Sequence, residues 1–141
     1  MKTLTLEVEY DCDFDLFGLV SSSREHKLAW ALNHTLGLRL VKQQDLIYPL
    51  NQGRLVISNY LYENEVSTLR LFRNRSLDPS TLKKPFLAPD VKEYDYLVQV
   101  CNGTGRLASE LVVERLTMLP DVQYACQFDP NELKFKENLL F

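Results

Sequence analysis

The sequence predicts an α+β fold built on a mostly antiparallel sheet, and three observations lead there. Two stretches carry helical apolar spacing, one over about 22–36 and one over about 107–118. Runs of strand character flank both. Between them lie further β-rich runs joined by turns too short to hold a crossover helix, which implies hairpins.

The first strand is expected over residues 4–21. Tyr10, Cys12, Phe14 and Leu16 alternate with Asp11, Asp13 and Asp15, which gives one apolar and one acidic face; Phe17, Leu19 and Val20 continue it. Ser22 and Glu25 have capping-box spacing and open the first helix. Leu28, Leu32 and Leu36, with Ala29 and Thr35 beside them, form its buried stripe, and Gly37 fits the left-handed C′ position. Residues 38–76 read as strands: Leu38 to Val41, then Val56 to Tyr62, then Thr68 to Arg73. Asn51-Gln52-Gly53 and Glu63-Asn64-Glu65 supply the turns. Pro79, Pro85 and Pro89 make 77–93 a long connection. Tyr96 to Cys101 is the next strand and Asn102 to Gly105 a turn. The second helix follows, with Leu107, Leu111, Leu116 and Leu119 toward the core and Pro120-Asp121 at its end. Val122 to Phe128 closes the sheet. In the tail, 129–141, Asp129 is placed as N-cap and Pro130 at N1 of a short helical turn. The order β-α-β-β-β-loop-β-α-β suggests a ferredoxin-like split βαβ arrangement with both helices on one face of the sheet.

Length and composition bound the function classes. A chain of 141 residues fits one domain spanning 1–141, large enough to hold a core without disulfide or metal. Hydrophobic residues are 45% and charged residues 25%, the proportions of a globular protein. A net charge of −3 argues against unspecific attraction to nucleic acid or anionic lipid. No signal-peptide pattern opens the chain, and no apolar run reaches the roughly 18–20 residues of a membrane span. Cys12, Cys101 and Cys126 are odd in number and far apart, as expected of reduced, mostly buried thiols in a cytoplasmic protein.

Several patterns carry a chemical reading beside a structural one. Gly103-Thr104-Gly105-Arg106-Leu107-Ala108 fits G-x-G-x-x-A between a strand and a helix, with Asp129 about twenty residues on. Too little chain follows for a doubly wound sheet, so no dinucleotide cofactor is expected and a tight turn is the first reading. Asn102, Gly103, Thr104, Gly105 and Arg106 are retained as candidate anion- or small-ligand-binding residues, because backbone N–H groups at such a turn attract anions. Asp11, Asp13 and Asp15 lack the glycine and acidic twelfth ligand of a calcium loop. His26 and His34 lie two helical turns apart, roughly 12 Å by helix rise, too far to share a zinc ion. With Trp30 between them they read first as a solvated face with one anchored tryptophan, and second as part of an interface. Arg70, Phe72, Arg73 and Arg75 interleave charge and aromatic rings in the manner of single-strand binders. In an acidic chain they are read instead as positive charge protecting an edge strand. No metal site, cofactor site or catalytic constellation is visible.

The segment Ala88-Pro89-Asp90-Val91-Lys92-Glu93-Tyr94-Asp95-Tyr96 resembles the signature of the bacterial IPExxxVDY family. Asp13 to Leu19, the Leu-Gly-Leu at 36–38 and the ending Lys136 to Phe141 are similar to it as well. Pro89, Asp95 and Tyr96 match the signature, Asp90 replaces its Glu, and Ala88 and Tyr94 replace its Ile and Val. That family has no assigned activity, so the resemblance implies a compact bacterial protein and supplies no mechanism. Pro89, Asp90, Asp95 and Tyr96 are expected to tie the loop exit to neighbouring strands. Two functions follow as expectations. The first is a non-catalytic module that binds a protein partner, or a second copy of itself, through a sheet edge or an uncovered sheet face. The second is a regulatory module that holds an anion at 102–106.

Overall fold

In the computed structural model, residues 14–50, 53–78, 82, 84–134 and 136–139 are described. The strands are β1 (Asp15–Val20), β2 (Val41–Lys42), β3 (Leu46–Leu50), β4 (Gly53–Ile57), β5 (Asn59–Glu63), β6 (Thr68–Arg73), β7 (Tyr96–Cys101) and β8 (Tyr124–Phe128). The helices are α1 (Glu25–Leu36) and α2 (Ser109–Thr117). Six strands form one sheet in the order β2-β5-β6-β7-β1-β8, and every neighbouring pair is antiparallel. β3 and β4 form a separate antiparallel hairpin. The α+β class and the antiparallel sheet match the expectation, but the described residues hold eight strands where the sequence pattern suggests six. α1 carries the chain from β1 to the far edge, β2, while α2 carries it from β7 across β1 to β8.

Side-chain alternation sorts the sheet into two cores. Phe17 and Leu19 of β1, Leu69 and Leu71 of β6, and Tyr96, Val98 and Val100 of β7 face both helices. There they meet Leu28, Ala29, Leu32 and Leu36 of α1, and Val112 and Leu116 of α2. The opposite residues Leu16, Phe72 and Leu97 face Leu55 and Ile57 of the hairpin, Leu87, Ala88 and Val91 of the long connection, and Leu139 of the tail. β7 is therefore covered on both sides. Its apolar run is broken once by Gln99, buried, whose side-chain amide donates to the Leu139 carbonyl at 2.6 Å. The tail is also held by Tyr48, whose hydroxyl donates to Asn138 O at 2.8 Å, and by Asn138 Nδ2 donating to Leu87 O at 3.0 Å.

Five local expectations need correction. Ser22 and Glu25 do not make a capping box: α1 starts at Glu25, and its N-cap, Arg24, makes no side-chain cap bond. The serine hydroxyls of this turn are engaged across the fold, Ser21 Oγ with Asp121 O and Ser23 Oγ with the Asp121 carboxylate at 3.0 Å. α2 is shorter than expected, because Gly105–Leu107 forms a 3-10 turn ahead of it. Its buried stripe is Val112 and Leu116, while Leu111 is only half-buried. The Val56-to-Tyr62 run is two strands in different layers, parted at Ser58. Finally, β6 is not an edge strand: it lies between β5 and β7. Arg70 and Arg73 stand on opposite faces of it by strand alternation, so its charges neither guard an edge nor make a basic stripe. Gly37, by contrast, ends α1 as expected, at φ 67°, with the N–H groups of Gly37 and Leu38 both donating to Asn33 O. Asp129 likewise accepts from Asn131 N–H at the start of a 3-10 turn at Pro130–Glu132. Residues 4–13, including Asp11, Asp13 and Cys12, lie outside the described residues.

Candidate functional site

The long connection folds against the sheet around one side chain that sequence periodicity does not single out. Asn74, buried just after β6, donates from Nδ2 to Val91 O (3.1 Å) and Tyr94 O (3.0 Å) and accepts from Ala88 N–H at 2.9 Å. Its backbone N–H donates to Asp95 O, and its carbonyl accepts from Leu87 N–H. Pro89–Val91 is a 3-10 turn with the proline in its first turn. The motif residues radiate from this anchor. Asp90 Oδ2 accepts from Lys134 N–H at 2.8 Å, and Asp95 Oδ2 accepts from Ser21 N–H at 2.9 Å. The Tyr96 hydroxyl donates to Ser23 O at 2.6 Å. Three motif side chains thus bind backbone groups from the tail and from the β1–α1 turn. Tyr94 instead meets the Cys126 thiol at 3.3 Å and packs edge-on against Phe128, with ring centroids 5.0 Å apart. Gly18 of β1 makes this possible: a Cβ there would lie 2.5 Å from the Phe128 ring and 2.8 Å from that of Tyr94. The Tyr94 phenol is pushed up to about 12, first by its hydrogen bond with Cys126 and then by burial.

The turn 102–106 has backbone features that favour glycine. Gly105 has φ 58°, and Asn102 shares the left-handed region at 54°. A Cβ on Gly103 would collide with the Leu107 carbonyl. Thr104, Gly105 and Arg106 border a concavity of ≈ 480 Å³ whose opposite wall is Tyr62 and Asn64 to Ser67. The N–H groups of Leu107 and Ala108 donate back to Thr104 O and Gly105 O. The Arg106 guanidinium donates to Gly37 O at the end of α1. The α-helix itself begins only at Ser109, so its first turn stands away from the glycines.

Other sequence candidates are dispersed. His26, Trp30 and His34 are exposed on α1, with the Trp30 ring 3.9 Å from that of His34. Arg75 lies over Phe86 at 5.5 Å. Cys101 and Cys126 are free and half-buried. Asp15 is raised by burial and by the Glu110 carboxylate. A cleft of ≈ 500 Å³ at the start of α1 holds Arg24 and Arg73 but also Glu25, so opposite charges share it. Tyr96, which borders it, is pushed up to about 12, first by burial and then by Glu25. Among the described residues no three His, Cys, Asp or Glu side chains are grouped to hold a metal ion, and no helix is long and apolar enough to cross a membrane.

The feature that sequence reading missed is the outer face of the β3–β4 hairpin. Leu46, Tyr48, Leu55 and Ile57 point inward to the second core. Strand alternation turns Ile47, Pro49, Arg54 and Val56 outward, with Ile47 paired directly across from Val56 and Pro49 across from Arg54. Ile47 is 48% exposed. Leu77, 44% exposed, lies alongside, its N–H bonded to Val56 O at 2.8 Å. An apolar row of this kind is visible in the sequence only if Leu46 to Leu50 is recognised as a strand, and Pro49 hides that. No protein-family model matches the chain, and no match is found among curated proteins.

Proposed function

We propose that the protein is a non-catalytic interaction module that docks another protein chain on the outer face of the β3–β4 hairpin. One observation carries this reading: exposed Ile47 and Leu77 adjoin half-buried Val56 in an apolar patch on the hairpin's outer face, in a molecule whose central strands β1, β6 and β7 are covered on both faces. Exposed apolar side chains that adjoin one another, unlike those scattered singly, mark interaction surfaces. Docking by face rather than by strand addition is favoured because Pro49 has no N–H to offer along β3. A stable interface buries about 800 Å² on each partner, so the patch is its centre and the surrounding polar surface its rim.

The finer architecture belongs to the same reading. The order β8-β1-β7-β6, with α1 and α2 on one face, supports a ferredoxin-like core. β5 and β2 extend that core at one edge, and the hairpin adds a second layer. Structural roles for the residues of the IPExxxVDY-like segment are supported by the bonds that the Asp90, Asp95 and Tyr96 side chains make to distant backbone groups and by Pro89 opening a 3-10 turn. Two free cysteines support a cytoplasmic setting.

The test compares the wild type with Ile47→Asp and Leu77→Asp by affinity capture from native lysate and by sedimentation velocity. The expected result is a captured partner or a self-associated species that both substitutions abolish while the melting temperature holds. The same captured proteins and the same sedimentation in all three would refute the reading.

A further inference from the structure

A groove of ≈ 290 Å³ opens between the end of α1 and the side of α2, bordered by His34, Thr35, Gly37, Arg106, Leu111 and Arg115. Two guanidinium groups reach the same helix end. Arg106 Nη1 donates to Gly37 O at 2.8 Å, and Arg115 Nη1 to Thr35 O at 3.4 Å. Carbonyls at a helix end lack intrahelical donors, so these bonds fix both arginines while using one of the five N–H donors of each. Gly37, required at φ 67° by the helix end, also leaves room for this guanidinium: a Cβ there would lie 2.5 Å from Arg106 Nη1.

The charge of the groove is unbalanced. The end of α1 contributes about −0.5 elementary charge against +2 from the guanidiniums. Among the described residues neither arginine forms an ion pair with a carboxylate. Glu110 of α2 acts on Asp15 of β1 instead, and Glu114 is exposed and does not border the groove. His34 Nδ1 faces the Trp30 carbonyl at 3.0 Å. A carbonyl can only accept, so Nδ1 carries the proton; Nε2 of the neutral ring is then an acceptor, and the donors for an anion are the two guanidiniums.

We propose that this groove is a two-arginine oxyanion site that takes the phosphoryl group of a small phosphomonoester. Forked donors from two guanidiniums suit a tetrahedral group with several oxygens. The volume lies at the lower limit of ligand pockets, roughly 300 Å³, which fits a compact group. The site stands apart from the hairpin surface, and neither proposal depends on the other.

Trp30 is the chain's single tryptophan and its ring touches that of His34, so indole fluorescence reports on the groove. The full chain is titrated with inorganic phosphate, with glycerol 3-phosphate and with chloride at constant ionic strength, following indole emission together with the ³¹P linewidth of each phosphate. Both phosphates should give saturable binding that chloride does not. Arg115→Gln should weaken it about tenfold or more with an unchanged melting curve. Arg106→Gln should do the same with a lowered melting temperature, because Arg106 also caps α1. Three results overturn the proposal: neither signal responding beyond chloride, Arg115→Gln binding as the wild type does, or inorganic phosphate binding while glycerol 3-phosphate does not.

Discussion

Replacing Asn74 by Ala should remove a large part of the protein's stability. The substitution withdraws the acceptor of Ala88 N–H and the donor to Tyr94 O. Val91 O keeps its bond from Tyr94 N–H at 3.0 Å. Two polar groups are therefore stranded beside Asn74, which is itself only 1% exposed. Each stranded group costs roughly 1–3 kcal/mol, so the expected loss is about 4 kcal/mol, against a usual total of roughly 5–15 kcal/mol for a domain. With a urea m-value of about 2 kcal/mol/M, the unfolding midpoint should fall by about 2 M. Asn74→Asp keeps an acceptor for Ala88 N–H but turns a carboxylate toward two carbonyls, so it should be no better. Equilibrium urea unfolding followed by far-UV circular dichroism measures both. A loss below about 1 kcal/mol for Asn74→Ala would show that the connection is not hung on this side chain, and the placement of Asp95 and Tyr96 would need another cause.

Three further outcomes follow from the same geometry. Gly18→Ala should destabilise by about 1–3 kcal/mol through collision with the Tyr94 and Phe128 rings. Adding Phe128→Leu should recover part of that loss in thermal melts, and strict additivity of the two would contradict the packing. Tyr48, Tyr94 and Tyr96 are each pushed up to about 12, Tyr48 and Tyr96 first by burial. The fold holds these phenolic protons more tightly than the unfolded chain does. Their stabilising contribution is thus complete below about pH 10 and is lost as pH rises through about 12. Phenolate absorbance should show a late wave, and all seven tyrosines titrating together near the ordinary value would contradict it. Asp15 is raised by burial and by Glu110, so its charged form opposes folding at neutral pH; Asp15→Asn should raise the melting temperature slightly, and a fall would reverse the sign of the argument.

What was legible in the sequence follows local apolar pattern. α1 buries one stripe, Leu28-Leu32-Leu36, and that periodicity is readable; β1 is buried on both faces, and its apolar run from Leu16 to Val20 marks it as a strand. Gly37 at the end of α1 is readable because few other residues tolerate its φ. The second layer was not. β3 carries Pro49, which a free edge strand tolerates but which reads as a break. β4 and β5 run together as one apolar stretch, and only their assignment to different sheets separates them. Asn74 and Gln99 are single polar residues whose partners lie 14 to 40 positions away, and no local pattern marks such a side chain as buried. Residues 102–106 form the tight turn that their glycines imply, with Asn102 and Gly105 at positive φ. Arg106 reaches away from that turn because the opposite helix end offers it a carbonyl.

Site-specific photo-cross-linking tests the docking surface most directly. A photoreactive residue is placed at position 47, on the outer face of the hairpin, and separately at position 66, where Val66 is more exposed than Ile47 but lies at the far turn between β5 and β6. Irradiation in native lysate should yield a discrete cross-linked product from position 47 alone. Equal labelling from both positions, or no product from position 47, would contradict a partner seated on Ile47, Val56 and Leu77.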